Sequence, residues 1–153
     1  MVEYDFLYSF TKDILNLDDS IIQAGIVNKY GVLLNVEHKD HTTLLLTDEE
    51  NEEYASQSIT RHKKTIEFEP KIGKVIYAFG RYKKVDRATV PINDDYYMLL
   101  MFQREQNLTN RAHQIIRDKV LPLVETERKK FDMKLSPLEW PVDRQRSATP
   151  AAD

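Results

Sequence analysis

Apolar positions in the first part of the chain follow a helical spacing and then a strand-like one. Between Tyr4 and Leu17, the side chains that recur every fourth residue are Phe6, Phe10 and Ile14. This spacing predicts an amphipathic helix. Two runs rich in Ile, Val and Leu follow, and the break between them contains Gly31. Because glycine adopts the positive φ that tight turns require, the pattern predicts a β-hairpin with its turn near residues 28–31.

The most clearly marked helix begins after Thr47. Thr47 and Glu50 have the spacing of a capping box, acidic residues fill the first turn, and basic residues fill the last turns. The helix has few apolar residues, among them Tyr54 and Ile59. One face is therefore expected to pack on a sheet while the rest meets water or a partner. Tyr54 and Ile59 are assigned to a candidate interaction surface.

Three strand-like runs are predicted in the middle of the chain, at residues 72–82, 83–92 and 96–103. Pro70 is expected to end the preceding helix, and Pro91 should lie at a strand end because it cannot donate a ladder hydrogen bond. Asn93-Asp94-Asp95 predicts the turn before the last strand. That strand, YYMLLMFQ, does not alternate, so it is buried on both faces or has one face covered in a complex.

A final helix and a tail complete the chain. Asn107 or Thr109 is expected to cap the helix, and Pro122 to kink or loosen its last turns. From residue 132 to 153 the chain contains prolines and shows no periodicity, which predicts a C-terminal tail. Its apolar residues are Leu135, Leu138 and Trp140. We expect them either to pack back on the domain or to dock on another protein.

The order of elements is α-β-β-α-β-β-β-α, which predicts an α/β (α+β) fold. Its five-stranded antiparallel sheet is expected to bury one face under helices. A chain of 153 residues can form one core, so a single domain is predicted over residues 1–131.

Composition limits the environment and the partners. The chain has no cysteine, no basic signal-peptide start and no apolar run long enough for a bilayer, so a reducing, cytoplasmic setting without a membrane is expected. Residues 1–57 hold 12 acidic and 3 basic residues, whereas residues 58–90 hold 3 acidic and 9 basic residues. The net charge of −3 disfavours nucleic acid as a partner, because the domain as a whole is not basic.

Few residues suggest catalysis. His38 and His41, beside Glu37 and Asp40, are residue types that ligate metals, but the helix that such pairs normally need is not predicted there. A solvated loop is the favoured interpretation. His62 and His113 are each expected to be polar surface residues. Four glycines cannot form a phosphate-binding glycine-rich motif, and no serine lies in a nucleophile elbow. The sequence therefore predicts neither an enzyme nor a cofactor.

A basic cluster surrounds the turn between the third and fourth strands. Its members are Arg81, Lys83, Lys84 and Arg87, with aromatic residues close by. Basic residues mixed with aromatics are typical of phosphate contacts, but lysines on an edge strand also protect a sheet from aggregation. The second interpretation is favoured, and the four residues remain candidate interaction residues together with Trp140.

Several short segments carry a resemblance to known families. They are residues 14–18 with Ser20-Ile21, residues 24–28 ahead of Gly31, Leu46 with residues 48–50, Arg61, and Gly73-Lys74 before Tyr77-Ala78. They resemble a small uncharacterised archaeal domain family over about residues 4–125. The order of elements resembles the roadblock (dynein light chain) and longin group, and more loosely the profilin-like and PAS-like sensor folds. A roadblock resemblance implies dimers and partnership with small GTPases or larger assemblies.

Three functions are compatible with these patterns. The leading hypothesis is a non-catalytic interaction or regulatory module, expected to be a homodimer that scaffolds or regulates a signalling partner. The second is a PAS-like small-molecule sensor whose cavity is lined by Tyr77, Tyr82, Tyr97 and Met101. The third is a metal-dependent hydrolase built on His38 and His41.

Overall fold

The computed structural model describes residues 4–39, 45–104 and 110–135. Its helices and strands are, in chain order, α1 (Tyr4–Leu15), β1 (Ile21–Asn28), β2 (Leu33–His38), α2 (Asp48–Thr65), α3 (Glu69–Ile72), β3 (Ala78–Arg81), β4 (Val85–Pro91), β5 (Tyr96–Gln103), α4 (Arg111–Ile115) and α5 (Leu121–Leu135). A 3-10 turn, Ile66–Phe68, precedes α3, and a π-helical turn, Ile116–Val120, joins α4 to α5. The sheet has the strand order β2-β1-β5-β4-β3, and each neighbouring pair is antiparallel. The predicted order of elements and the five-stranded antiparallel sheet are confirmed.

The two predicted turns form as the sequence indicates. Gly31 has a φ of 85°, and a Cβ at this position would lie 3.2 Å from the Ser56 Cα on α2. Glycine therefore serves both the turn and its close approach to the helix. In the second turn, the Asn93 side-chain oxygen accepts hydrogen bonds from the backbone N–H groups of Asp95 and Tyr96, both at 2.9 Å. Pro91 is the last residue of β4, as predicted.

Helices cover both faces of the sheet, which corrects the prediction of one buried face. One face, here called the α1/α5 face, packs against α1, α4 and α5 around Phe10, Met98, Leu100 and Phe131. The other, the α2 face, packs against Ala55 and Ile59 of α2. Seven of the eight residues of β5 are buried, so the run without alternation is explained by burial on both sides within one chain.

The capping box of α2 is present as predicted. The Thr47 hydroxyl accepts the Glu50 N–H at 3.1 Å, and the Glu50 carboxylate accepts the Thr47 N–H at 2.9 Å. The expectation that Pro70 ends this helical segment is wrong. A 3-10 turn carries the chain from α2 into α3, where Pro70 lies in the first turn and its missing N–H costs no helical hydrogen bond.

The last helix differs from its prediction at both ends. It begins at Arg111, after Asn110, which makes no side-chain cap hydrogen bond; Asn107 and Thr109 lie outside the described residues. The π-helical turn comes directly before Pro122, whose ring would clash with the carbonyl of Asp118 in a regular α-helix. The helix then continues to Leu135 and so includes the first four residues, 132–135, of the predicted tail. Leu138 and Trp140 lie outside the described residues.

Candidate functional site

The predicted basic cluster is divided between the two faces of the sheet. Arg87 lies opposite Met101 in the β4–β5 ladder and contacts Tyr54 of α2, so its side chain is on the sheet face that α2 covers. Arg81 lies on the opposite face, where its guanidinium forms hydrogen bonds of 3.0 and 3.1 Å to the Asp86 carboxylate. Lys83 and Lys84 are exposed in the turn. The four residues therefore do not form one surface.

Among the candidate interaction residues, only Tyr54 and Arg87 are brought into direct contact. The Arg87 guanidinium carbon lies 3.5 Å from the centre of the Tyr54 ring. Ile59 is only 3% exposed and packs between α2 and the sheet, so its assignment to an exposed interaction surface is wrong. Its position on the inner side of α2, next to the buried residues Ala55 and Ser58, explains this burial. Trp140 lies outside the described residues.

A cavity of about 250 Å³ lies between α2 and strands β3 and β4; it is called the arginine pocket below. Its α2 wall consists of Tyr54, Ser58, Arg61, His62 and Thr65. Its sheet side includes Ala78, Gly80, Arg87 and Thr89, and Tyr82 also lines it. The space exists because β3 places only small residues, Ala78 and Gly80, on this face.

In the described part of the chain, the two arginines of the arginine pocket, Arg61 and Arg87, form no salt bridge with an acidic residue. Burial lowers the pKa of Arg87, and the nearby charge of Arg61 lowers it further. The Arg87 Nε has no hydrogen-bond partner. The Arg61 guanidinium carbon lies 5.4 Å from the centre of the Tyr54 ring, and Arg61 donates to the Ser58 hydroxyl at 3.2 Å. Burial raises the pKa of Tyr54, so this phenol stays neutral.

The histidines do not occupy the surface positions expected of them. His62 is 9% exposed and lies edge-on to the Tyr97 ring, with 4.7 Å between ring centres, and burial lowers its pKa. His113 is half-buried, stacks on Phe79 at 4.0 Å and shares a 2.8 Å hydrogen bond with the Tyr77 hydroxyl. Both rings fill space between a helix and the sheet.

The cavity predicted for a sensor does not form from its four residues. Tyr77 points to the α1/α5 face, where it contacts His113. Tyr97 and Met101 alternate onto the α2 face, and of the four residues only Tyr82 lines the arginine pocket. The sheet therefore separates Tyr77 from the other three.

An exposed apolar segment leads from α2 to β3. Its exposed side chains are Ile66 (37%), Phe68 (59%), Ile72 (79%) and Ile76 (65%). Among the described strands, β3 is an edge of the sheet and pairs with β4 alone. These four side chains and the β3 edge are together called the β3 patch. This patch was not predicted from the sequence because residues 72–77 were assigned to a strand, although the apolar residues there do not alternate with polar ones as they do in a half-buried strand.

No group of three or more His, Asp or Glu side chains that could hold a metal ion occurs in residues 4–39, 45–104 and 110–135. His38 is exposed at the end of β2, and its Nδ1 lies 3.4 Å from the Lys39 carbonyl oxygen. His41 lies outside the described residues, so the His38–His41 pair stays a prediction. None of the described helices is long and apolar enough to cross a bilayer.

The segment around Asp18, which carries part of the family resemblance, has a structural role. The Asp18 carboxylate accepts hydrogen bonds from the Ser20 N–H at 3.0 Å and the Ser20 hydroxyl at 2.7 Å. Arg111 of α4 forms an ion pair with it at 2.8 Å. Partial burial raises the pKa of Asp18, but the hydrogen bonds from Ser20 and the charge of Arg111 outweigh it and lower the value to about 2. These contacts tie the start of β1 to the last helix.

No protein-family model and no curated protein matches the sequence. Solved structures match it in fold. MglB of Myxococcus xanthus superposes with a TM-score of 0.61 at 12% identity, over 81% of this chain and 95% of that chain. An MglB with a tetrameric arrangement gives 0.60 at 11% identity, over 82% and 91%. A roadblock/LC7 domain from Streptomyces avermitilis gives 0.58 at 10% identity, over 85% and 98%. The chain therefore has the α+β fold of roadblock/LC7 domains.

Proposed function

We propose that this chain is a non-catalytic regulatory module that forms a homodimer through the β3 patch. The observation that carries the proposal is the exposure of Ile66, Phe68, Ile72 and Ile76 beside an unpaired sheet edge. Contiguous exposed apolar side chains favour burial in a protein interface, and an unpaired edge offers backbone donors and acceptors to a second strand. A second copy of the chain would supply both an apolar surface to cover these side chains and an edge strand to pair with β3.

The two sheet edges differ in how well they are protected. Edge strand β2 carries Glu37 and His38, and its Asn35 amide donates to α1 at the Leu7 carbonyl (3.2 Å) and the Thr11 hydroxyl (2.8 Å). Edge strand β3 has one charged residue, Arg81, which is held by Asp86 of its own chain. Because charged and covered edges resist strand pairing, β3 is the edge suited to self-association.

The fold likeness supports self-association and suggests the kind of partner. One solved structure of the same fold is an MglB with a tetrameric arrangement. Roadblock resemblance implies partnership with small GTPases, so we propose that the dimer scaffolds or regulates a small GTPase or a similar signalling protein in the cytoplasm. Kinship with an archaeal domain family stays a prediction from the residues.

Light scattering coupled to size-exclusion chromatography tests the dimer. The wild-type chain at micromolar concentration should have twice the mass of one chain. The double variant Ile72→Glu/Ile76→Glu should have the mass of one chain, because charges would be buried at the contact. Tyr8→Glu is the matched control, since Tyr8 is 50% exposed on α1, which packs against β1 and β2 at the other edge of the sheet, and it should leave the mass unchanged.

A wild-type chain that stays monomeric across the micromolar range would contradict the dimer. Dissociation by Tyr8→Glu to the same extent would contradict the assignment of the interface to the β3 patch. Circular dichroism of each variant checks that the fold is retained.

A further inference from the structure

Arg87 is a buried cation that has no acidic partner among the described residues. Its residue is 6% exposed and its Nε has no hydrogen-bond partner. In the described part of the chain, the charged or polar groups that affect its pKa are Tyr54, Tyr82 and Arg61, none of them a carboxylate. Proteins normally pair a buried charge, because an unpaired one is costly. The guanidinium therefore presents unused donor capacity at the wall of the arginine pocket.

A second guanidinium increases the local positive charge. Arg61 and Arg87 lie 5.4 and 3.5 Å from the centre of the same Tyr54 ring. Like charges this close to one ring repel, and the charge of Arg61 lowers the pKa of Arg87 accordingly. An anion bound in the pocket would remove the repulsion and satisfy both groups. Arginine is suited to this because its planar fork matches carboxylate and phosphate oxygens.

The other walls define what else the ligand would meet. The hydroxyls of Ser58 and Thr65 donate to backbone carbonyls of α2, at 2.9 and 3.0 Å, so their hydrogens are already used. The guanidiniums are the charged donors that line the pocket and would meet the charge of the ligand, while Tyr54 and Tyr82 supply aromatic side chains. A volume of about 250 Å³ is below the roughly 300 to 1,000 Å³ of drug-sized sites, which restricts the ligand to a small molecule.

We propose that the arginine pocket binds a small organic oxyanion, either a carboxylate or a phosphate monoester. Arg87 is the anchor, Arg61 is the second cation, and the rings of Tyr54 and Tyr82 contact the organic part. The site goes beyond the proposed dimer, because it is formed within one chain by α2, β3 and β4.

Isothermal titration calorimetry on the full chain tests the site with three probes: phenyl phosphate, benzoate and inorganic phosphate. Phenyl phosphate and benzoate distinguish the two anion classes, and inorganic phosphate lacks an organic part. We expect saturable binding of at least one organic probe. Arg87→Met should weaken that binding by about tenfold or more, because it removes the anchoring charge-assisted hydrogen bonds. Arg87→Lys should weaken it less, since the charge remains.

Lys84→Met is the matched control, because it also removes one positive charge but from the exposed turn. It should leave binding within about twofold of the wild type, since exposed charges are screened. The proposal is overturned if neither organic probe binds, if binding persists in Arg87→Met, or if Lys84→Met weakens it equally. If Arg87→Met does not fold, Arg61→Met on the exposed side of α2 replaces it under the same criteria. A monomeric wild type that binds the probe would contradict the dimer and leave the pocket supported.

Discussion

The two faces of the sheet contrast in what lies on them. The α1/α5 face carries the larger apolar core, in which Phe10, Phe131 and Tyr96 pack ring against ring, with centres 5.0 and 5.9 Å from Phe131, and the buried Asp86 on this face is paired with Arg81. The α2 face has a small apolar cluster, and beside it lies Arg87, which is buried and whose Nε has no hydrogen-bond partner among the described residues.

The α1/α5 face is thus suited to stabilising the fold, and the α2 face is suited to binding. An apolar interior of close-packed rings contributes free energy of folding and leaves no group for a ligand. A buried guanidinium without an acidic partner lowers stability, and ionisable groups with perturbed pKa values beside a cleft are typical of functional sites. The α2 face, together with the β3 patch at its edge, is therefore where this protein is expected to act. The following predictions test the division.

The largest effect is expected on the α1/α5 face. Phe131 is fully buried against Phe6, Phe10 and Tyr96. Phe131→Ala should lower the free energy of unfolding by about 3–5 kcal/mol, because it leaves a cavity in a close-packed core. Chemical denaturation measures the change. Met133→Ala, at an exposed position two residues on, should change it by less than about 0.5 kcal/mol. A loss below about 1 kcal/mol in Phe131→Ala would contradict the role given to this face.

A smaller loss is expected beneath α2. Ile59→Ala should lower the free energy of unfolding by about 2–3 kcal/mol, because the apolar cluster there is small and one side opens to the arginine pocket. Hydrogen exchange should show the loss of protection mainly in α2. The exposed neighbour Thr60→Ala serves as control. A loss as large as that of Phe131→Ala would show that the two faces contribute equally.

The ion pair between Asp18, which precedes β1, and Arg111 of α4 contributes to the free energy of unfolding, and this contribution is sensitive to acid. The pKa of Asp18 is about 2 in the folded chain against an ordinary 3.8, so its contribution is complete above about pH 5 and is lost as the pH falls through about 2. Asp18→Asn should cost about 1–2 kcal/mol at pH 7, reduced by solvent screening of the half-exposed Arg111, and only a small part of that at pH 2. An equal cost at both pH values would show that the charge is not responsible.

The smallest expected effect is a dependence of stability on pH near neutrality, which arises from His62 on the α2 face. Burial lowers the pKa of His62 below its ordinary 6.5, so the unfolded chain binds the proton more tightly and stability falls as the pH drops through that value. His62→Gln should remove this pH dependence of stability between pH 8 and 5. Thermal melting at several pH values measures it, with exposed His38→Gln as control. An unchanged pH profile in His62→Gln would contradict the assignment.

Local sequence signals predicted much of the fold. The capping box of Thr47 and Glu50, the turn glycine Gly31 and the turn residue Asn93 each act through groups a few residues away. Such signals are present in the chain before it folds, and all three were correct. The prediction that Pro70 ends the helical segment was wrong, because a local signal can have two meanings. A proline ends one helix but is also accepted in the first turn of the next.

The candidate site was predicted only in fragments. Tyr54 and Arg87 were both selected, but as members of two separate surfaces, and Arg61 and His62 were not selected at all. The β3 patch was not predicted because its apolar residues are divided among a 3-10 turn, the short helix α3 and the segment before β3, and therefore follow no single periodicity. Neither feature has a local motif that could have identified it.

What the sequence by itself determined is the set of elements, the turns that join them and the absence of disulfides. Periodicity, capping and turn chemistry act over a few residues and can be recognised without a partner element. Only the tertiary structure decided which residues meet. The register Gly80–Arg87 and Arg81–Asp86 sends two nearby arginines to opposite faces, and the packing of α2 on the second face closes a pocket over one of them. Strand pairing and helix docking depend on contacts between distant segments, and these exist only once the chain has folded.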